Sequence, residues 1–183
     1  MGSWIQGAHT LGPANATLSV KTGRNGAAAK AGHDLLIDVT SWQATLEPGA
    51  DPASMSVVLH ADGASLSVRE GTGGMQSLGD DDKAGIRQTI DDEVLKGQDI
   101  EFRSTEVQPA ADGAGISVRG ELKLVGNTRP VAFDVRFSAD GRLSASAALR
   151  QSDWGIKPYS TLFGALKVAD EVEVVLDAGP PAP

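Results

Sequence analysis

Few residues of this sequence are of a type that carries out chemical reactions. His33 stands next to Asp34 in the chain, and neither His9 nor His60 has a carboxylate as its immediate neighbour. An imidazole beside a carboxylate can exchange protons with a substrate, so an enzyme that uses His33 and Asp34 is one hypothesis. The favoured interpretation is structural, with a histidine at the start of a strand bonded to nearby backbone. The sequence therefore predicts a protein that is not an enzyme.

The sequence also contains no recognisable pattern of metal or phosphate ligands. There is no cysteine, which excludes disulfides, thiol catalysis and thiolate metal sites. The acidic run 80–82 lacks the ligand spacing of a calcium loop and suits the start of a helix, where the helix dipole favours negative charge. The glycine-rich segment 69–79 lacks the lysine of a phosphate-binding loop. We therefore predict no metal and no cofactor.

Length and charge narrow the class of protein further. The chain has 183 residues and a net charge of −8. Without a cluster of Lys and Arg it is not expected to bind nucleic acid, and its charge disfavours electrostatic docking on anionic membranes. No apolar run approaches the roughly 20 residues of a membrane span, and residues 1–20 do not resemble a signal peptide. The sequence predicts one soluble domain over 1–183. Without a signal peptide the protein is expected to be cytoplasmic; if a signal was removed, it would be periplasmic or exported. The sequence does not decide whether it forms a homodimer.

The elements that must position any site are mostly strands. Apolar and polar residues alternate along most of the chain, which is the pattern of strands with one buried face. Asp112-Gly113 and Asp140-Gly141 are typical of tight hairpin turns. The parity of the alternation changes at residues 40–41, which indicates a bend or bulge. These features predict a mainly β protein, an antiparallel barrel or sandwich of about eight strands.

Two segments have helical character instead. Ile86, Ile90 and Val94 recur at helical spacing within a predicted helix over about 80–96, which separates two groups of strands. The alanine-rich stretch 25–32 predicts one or two further helical turns. The proline-rich end, residues 179–183, is predicted to be a disordered tail.

Aromatic residues are scarce, yet three of the eight lie between residues 152 and 168. This segment precedes the last predicted strand, and its glycines and Pro158 allow it to fold over one end of a barrel. We predict that its apolar residues form the opening of a ligand site; they are Trp154, Ile156, Tyr159, Leu162 and Phe163. The alternative is that Trp154 and Phe163 plug the barrel as part of its core.

Several motifs in order resemble the YceI-like family. They are DIEFRSTEV at 99–107, GELKLVGNTRPVAF at 120–133 and LRQSDWGIKPYSTLFGALKVADEVEV at 149–174, with the helical segment 80–97 in the place of the family's crossing helix. The resemblance covers most of residues 11–178. It implies a bacterial, lipocalin-like antiparallel barrel that binds isoprenoid-type lipids without enzymatic activity.

A barrel of about eight strands has room for side chains or for one small ligand, and the resemblance implies a ligand. Small residues at Ala145 and Ala147, on one face of a predicted strand, would leave volume for it. Phe102 and Phe133 are further candidate contacts, and His33 is a candidate partner for a polar headgroup. The open alternative is a stress-related or interaction protein with a packed barrel, whose acidic helix 80–96 meets a partner.

Overall fold

A computed structural model describes residues 3–181 of the chain. Of the predicted disordered tail, residues 182 and 183 lie outside the described residues, and residues 179–181 follow the last strand without regular structure. The architecture is mainly β with one α-helix, as predicted.

Twelve strands form one antiparallel sheet. They are β1 (His9–Leu11), β2 (Ala16–Asn25), β3 (His33–Val39), β4 (Trp42–Glu47), β5 (Ser56–Ala61), β6 (Leu66–Gly73), β7 (Ile100–Pro109), β8 (Gly115–Leu124), β9 (Asn127–Phe137), β10 (Leu143–Arg150), β11 (Ser160–Thr161) and β12 (Leu166–Ala178). The predicted number of about eight was therefore too low. The two shortest strands, β1 and β11, are too short to show an alternating pattern, and chain bends divide longer segments into two strands each.

The sheet curls into a lipocalin-like half-barrel. Its strand order is β1-β4-β5-β7-β8-β9-β10-β12-β2-β3-β6, and β11 adds to β12. Alternate residues of each strand face inward, so the apolar set of every strand points to the same interior. The interior is the core of the protein and the place of the candidate site.

A bent ribbon of two long strands joins the two edges of the sheet. β3 and β4 run on either side of residues 40–41, and β5 and β6 on either side of residues 62–65. Thr40 and Ser41 both donate backbone hydrogen bonds to Ser65, which holds the two bends together. Ile37 and Val39 are buried before the bend, and the buried set continues on the other parity after it. The predicted bend at 40–41 is thus confirmed.

The two ends of the barrel are built differently. At one end, here called the turn end, tight connections at 12–15, 110–114 and 138–142 join the strands. The predicted hairpins at Asp112-Gly113 and Asp140-Gly141 are confirmed here. The opposite end, here called the loop end, carries the longer connections 25–32, 74–79 and 151–165 together with the turn 125–126.

The α-helix begins at the loop end and reaches the bend at 62–65, where Arg87 Nη2 donates to the Ala64 carbonyl oxygen at 3.3 Å. Helix α1 (Asp80–Thr89) continues into one π-helical turn (Ile90–Val94), which confirms the helix predicted over 80–96. α1 packs along the free edge of β6, where Lys83 Nζ donates to the Arg69 carbonyl oxygen at 3.2 Å. A helix over an edge strand protects it from further pairing. Single 3-10 turns occur at Ser3–Ile5, Ala29–Ala31, Pro52–Ser54, Gly63–Ser65, Gln151–Trp154 and Leu162–Gly164.

Candidate ligand-binding cavity

The barrel encloses a cavity of about 800 Å³. This volume lies within the range of about 300–1,000 Å³ that is usual for small-molecule sites. Most of its wall is apolar, and the lining comes from the inward faces of the strands and from α1. Apolar lining residues include Leu18, Val20, Leu35, Ile37, Leu59, Leu66, Leu124, Val131, Leu149, Val172, Val174 and Leu176.

The cavity becomes more accessible from the turn end towards the loop end. On β10, Leu143 at the turn end is 3 % exposed, whereas Ala147 and Leu149 further along are half-buried. On β12, Ala178 at the turn end is 1 % exposed, and Val172 is half-buried. The interior is therefore packed at the turn end and open towards the loop end.

Small residues on β10 account for part of this volume. Ala145 and Ala147 both line the cavity, and they lie opposite Leu176 and Val174 of the neighbouring strand β12. A larger side chain at either position would project into the lumen. Both residues therefore lie on the inward face of β10, as the alternation of this strand predicts.

Phe102 and Phe133 also line the cavity. Their ring centroids are 5.4 Å apart with an interplanar angle of 55°, a favourable tilted pair. Gly120 lies directly behind Phe102, because a Cβ atom at Gly120 would come within 2.6 Å of the phenyl ring. The small residue at 120 thus makes room for Phe102 and leaves no volume for a ligand.

The first half of the 152–168 segment is anchored to the barrel. Trp154 is buried, and its Nε1 donates to the Leu122 carbonyl oxygen at 2.8 Å. It does not line the cavity, so its position is that of a core plug. Ile156, two residues further on, is buried and does line the cavity.

The second half of this segment is exposed. Tyr159 lines the cavity and is also 40 % exposed, so it stands at the opening. Leu162 and Phe163 lie outside the cavity, and Phe163 is fully exposed. The structure places Phe163 neither in the lining nor in the core. The backbone turns outward here, with a φ of 52° at Leu162 and 54° at Phe163, in the left-handed region that bulky residues rarely adopt.

His33 and Asp34 are held outside the cavity by the loop 74–79 and by strand β2, respectively. His33 Nε2 lies 2.6 Å from the Gln76 carbonyl oxygen. Asp34 Oδ1 is 3.5 Å from Arg24 Nε, and neither residue lines the cavity. Successive residues of a strand point to opposite faces, so the two side chains do not converge on one point. His33 is therefore not placed to contact a headgroup inside the cavity.

The lining has few polar residues: besides Thr45, Thr89 and Ser146, the others lie near the loop end. They include Thr22, Gln151 and Tyr159 together with Asp81 and Asp82, two exposed residues in the first turn of α1. Gln151 donates through Nε2 to the Ala169 carbonyl oxygen at 3.0 Å, which leaves its amide oxygen as an acceptor. No Lys, Arg or His is among the described residues of the lining. The polar part of the cavity thus carries acceptors and hydroxyls without a cation.

Sequence reasoning missed the contribution of the helix to the lining. Ile86, Ile90 and Val94 all contact the cavity. Their helical spacing was visible in the sequence, but nothing local indicates which side of the sheet the helix covers. Gln151 was missed because a polar residue before a loop gives no sign that it faces inward.

Asp170 fixes the start of the 152–168 segment to β12. Ser152 donates to this carboxylate through its hydroxyl at 2.5 Å and through its backbone N–H at 2.8 Å. These hydrogen bonds, the hydroxyl's first, hold the pKa of Asp170 below its usual value. The anchor therefore depends on the ionised carboxylate.

An enclosed apolar lumen with an opening at one end defines a binding barrel. A family model described as YceI-like domain matches residues 34–179, and the chain belongs to this family. A comparison with curated protein sequences finds no significant match. The described residues contain no helix long and apolar enough to cross a membrane, and none of their His, Cys, Asp and Glu side chains gather into a metal-binding group.

Solved structures of other proteins share the fold. Burkholderia cenocepacia BcnA is 18 % identical with a TM-score of 0.63, covering 88 % of this chain and 94 % of its own. The Campylobacter jejuni YCEI protein is 13 % identical with a TM-score of 0.54, covering 80 % and 85 %. At these identities the structural likeness establishes the barrel fold alone and does not identify a ligand.

Proposed function

We propose that this protein is a non-enzymatic carrier that holds one long-chain, isoprenoid-like lipid in the barrel. The observation that carries the proposal is the cavity of about 800 Å³ with an almost wholly apolar wall. Family membership supports it as well, since the YceI-like resemblance implies lipid binding.

Hydrophobic burial alone is sufficient to hold such a ligand. Each buried methylene contributes about 0.8 kcal/mol, so a prenyl chain gains strongly from a wall of Leu, Ile, Val and Phe side chains. The wall includes Phe102 and Phe133 from adjacent regions of the sheet and Ile86 and Ile90 from α1. No ion pair is needed for this kind of binding.

The polar residues at the loop end favour a ligand with an uncharged headgroup. Asp81 and Asp82 line this part of the cavity, and no described cationic side chain lines it with them. Held inside the cavity, an anionic head such as a diphosphate would meet like charge without a counter-charge, because the exposed Lys157 nearby does not line it. A hydroxyl or carbonyl head can instead bond with Tyr159 and Gln151. We therefore propose a neutral isoprenoid over its phosphorylated form.

The two rival functions fit the structure less well. A packed barrel that acts only through its acidic helix does not accord with the size of the cavity. Catalysis by His33 and Asp34 requires both to reach a substrate, yet both lie outside the cavity, where His33 contacts Gln76 and Asp34 pairs with Arg24.

Thermal unfolding with added lipid tests the proposal. A ligand that binds only the folded state raises stability, by about 2.7 kcal/mol at a hundredfold excess over Kd. Polyprenol dispersed in mild detergent should raise the Tm of the wild type, and polyprenyl phosphate should raise it less. No shift with polyprenol would contradict the proposal.

A variant of β10 shows whether the shift comes from the cavity. Ala147→Phe places a ring in the lumen and should weaken polyprenol binding by at least about tenfold while the fold is retained. Ala148→Phe is the matched control, because Ala148 is exposed on the opposite face of the same strand. Equal binding by both folded variants would contradict a ligand site in the lumen.

A further inference from the structure

Exposed apolar side chains are gathered at one end of this molecule. Among the described residues, the large hydrophobic side chains that are exposed are Met75 (84 %), Tyr159 (40 %), Leu162 (54 %) and Phe163 (113 %). All four lie in connections of the loop end, and none lies at the turn end. Exposed apolar groups gathered in one place mark an interaction surface more often than single scattered ones do.

These residues belong to three segments that contact one another. We call residues 25–32, 74–79 and 157–167 together the rim. The Ala28 backbone N–H donates to the Ala165 carbonyl oxygen at 2.8 Å, which joins the first segment to the third. His33, directly after the first segment, reaches the Gln76 carbonyl oxygen at 2.6 Å, which joins it to the second. The rim is therefore one continuous surface.

The charge of the rim is opposite to that of the whole chain. Its charged residues are Lys30, Lys157 and Lys167, all exposed, and it contains no Asp or Glu, although the acidic first turn of α1 (80–82) directly follows its second segment. The chain as a whole has a net charge of −8. Apolar and aromatic tips flanked by lysines match the chemistry of an anionic bilayer surface, where apolar groups enter the acyl boundary and lysines meet the headgroups.

The backbone holds the apolar tip of the rim outward. Leu162 and Phe163 both have positive φ, and Gly164 follows with a φ of 84°. Strained conformations of this kind cluster at binding and switch regions, where the surrounding structure maintains them. No described contact buries the Phe163 ring, so the strained turn presents it to the exterior.

The rim also adjoins the cavity. Tyr159 belongs to the rim and lines the cavity at the same time. A prenyl lipid is insoluble in water and resides in membranes. A surface that contacts a bilayer beside the opening would therefore let the lipid pass without crossing water.

We infer that the rim docks on the surface of an anionic lipid bilayer, with Phe163 and Leu162 entering the headgroup–acyl boundary, and that lipid enters and leaves the cavity there. This inference rests on the proposed lipid-carrier function. It goes further by naming the membrane as the partner and the rim as the contact.

Vesicle co-sedimentation of the full chain tests the docking. The vesicles contain phosphatidylcholine alone or phosphatidylcholine mixed with phosphatidylglycerol. We expect binding to the mixed vesicles that weakens with salt, because lysine–headgroup attraction is screened. Phe163→Gly should reduce binding by about tenfold, given the apolar area of one phenyl ring. Glycine adopts positive φ without strain, so this variant is expected to fold.

Two controls separate the rim from general effects. Lys96→Gly relaxes a φ of 56° at an exposed residue outside the rim and should leave vesicle binding unchanged. Lys157→Gln should weaken binding to the mixed vesicles, whereas Lys123→Gln, on the outer face of β8, should weaken it less. Equal binding by the wild type and Phe163→Gly would overturn the inference.

Extraction of the same samples for bound lipid distinguishes the two proposals. A wild type that carries polyprenol but does not bind vesicles overturns the docking and leaves the carrier function standing. A wild type that binds vesicles through Phe163 but takes up no polyprenol supports the docking and contradicts the carrier function. In a third outcome, the wild type does not bind vesicles but self-associates in light scattering, and Phe163→Gly removes the self-association. That result would overturn the inference and identify a second copy of the chain as the partner.

Discussion

The turn end and the loop end of the barrel each contain a buried tryptophan, but they differ in their opening and in their exposed side chains. At the turn end, Trp4 is buried and its Nε1 donates to the Gly141 carbonyl oxygen at 2.7 Å. At the loop end, Trp154 is buried and donates to the Leu122 carbonyl oxygen at 2.8 Å. Each end thus has one buried indole bonded to a strand or turn. They differ in other respects, since among the described residues the opening and the exposed large apolar side chains occur at the loop end.

We infer that the turn end mainly stabilises the fold, whereas the loop end also serves the proposed ligand binding. Short turns leave few backbone groups to satisfy and few side chains to order, so the turn end gives a firm base for the barrel. The loop end combines an anchored part, from Gln151 to Ile156, with an exposed part from Lys157 to Lys167. We therefore expect variants at the turn end to change stability alone, and variants at the loop end to change ligand binding as well.

The largest expected effects are those of the two tryptophans. Trp4→Ala and Trp154→Ala should each lower the free energy of unfolding by about 3–5 kcal/mol, because each removes a buried indole. Trp4→Phe and Trp154→Phe keep most of the ring volume. Apart from packing effects, each should lower the free energy of unfolding by about 1 kcal/mol, because the indole hydrogen bond is lost. Chemical denaturation measures these changes.

Ligand binding distinguishes the two tryptophan sites. Trp154→Phe should weaken polyprenol binding, since it disturbs the adjacent cavity residue Ile156, whereas Trp4→Phe should leave it unchanged. Equal weakening of polyprenol binding by both variants would contradict the proposed difference between the loop end and the turn end.

A smaller effect is expected from the carboxylate that anchors the loop end. The pKa of Asp170 is lowered in the folded state by its hydrogen bonds from Ser152. A lowered folded pKa stabilises the protein above the unfolded value of about 3.9, and this contribution is lost as the pH falls through the folded pKa. The wild type should therefore be more stable than Asp170→Asn at neutral pH, and the two should converge in acid.

Asp140 at the turn end is the matched control for this measurement. Its pKa is lowered as well, chiefly by the hydroxyl of Ser138. Asp140→Asn should show the same pH dependence of the free energy of unfolding but leave polyprenol binding unchanged, whereas Asp170→Asn should also weaken binding. A pH-independent difference between the wild type and Asp170→Asn would contradict the assigned anchor.

The smallest effect concerns the strained turn of the rim. Phe163→Gly relieves the strain of a positive φ at an exposed residue, which raises the free energy of unfolding. The flexibility of glycine in the unfolded chain offsets part of this gain, so the net rise should be at most about 1 kcal/mol. Denaturation of the variant beside the wild type measures this. A clear loss of stability would show that the ring packs on the protein and is not held outward.

Local sequence patterns predicted the turn end well and the loop end poorly. Asp112-Gly113 and Asp140-Gly141 specify their hairpins by turn chemistry alone. The segment 152–168 was predicted to form a hydrophobic opening, or alternatively to plug the barrel through Trp154 and Phe163, but the structure divides it among the core, the cavity and the exterior. Trp154, Ile156 and Phe163 share an apolar character, and only long-range contacts such as the one to Leu122 decide which surface each one meets.

The lining of the cavity was predictable where strand alternation determines it. Ala145, Ala147, Phe102 and Phe133 line the cavity as their strand positions imply. His33 does not, because the loop containing Gln76 folds onto it, and no local pattern specifies that loop. The helical part of the lining was equally out of reach, since the packing of α1 depends on the curvature of the whole sheet.

The most direct measurement is solvent extraction of the purified wild type, Ala147→Phe and Ala148→Phe, with the released lipids identified by mass spectrometry. The lipid-carrier account predicts about one neutral long-chain isoprenoid per chain from the wild type and from Ala148→Phe, and little or none from folded Ala147→Phe. Equal lipid from all three proteins would contradict a site in the lumen. A folded wild type that yields no lipid, even after incubation with polyprenol-loaded vesicles, would contradict the carrier function.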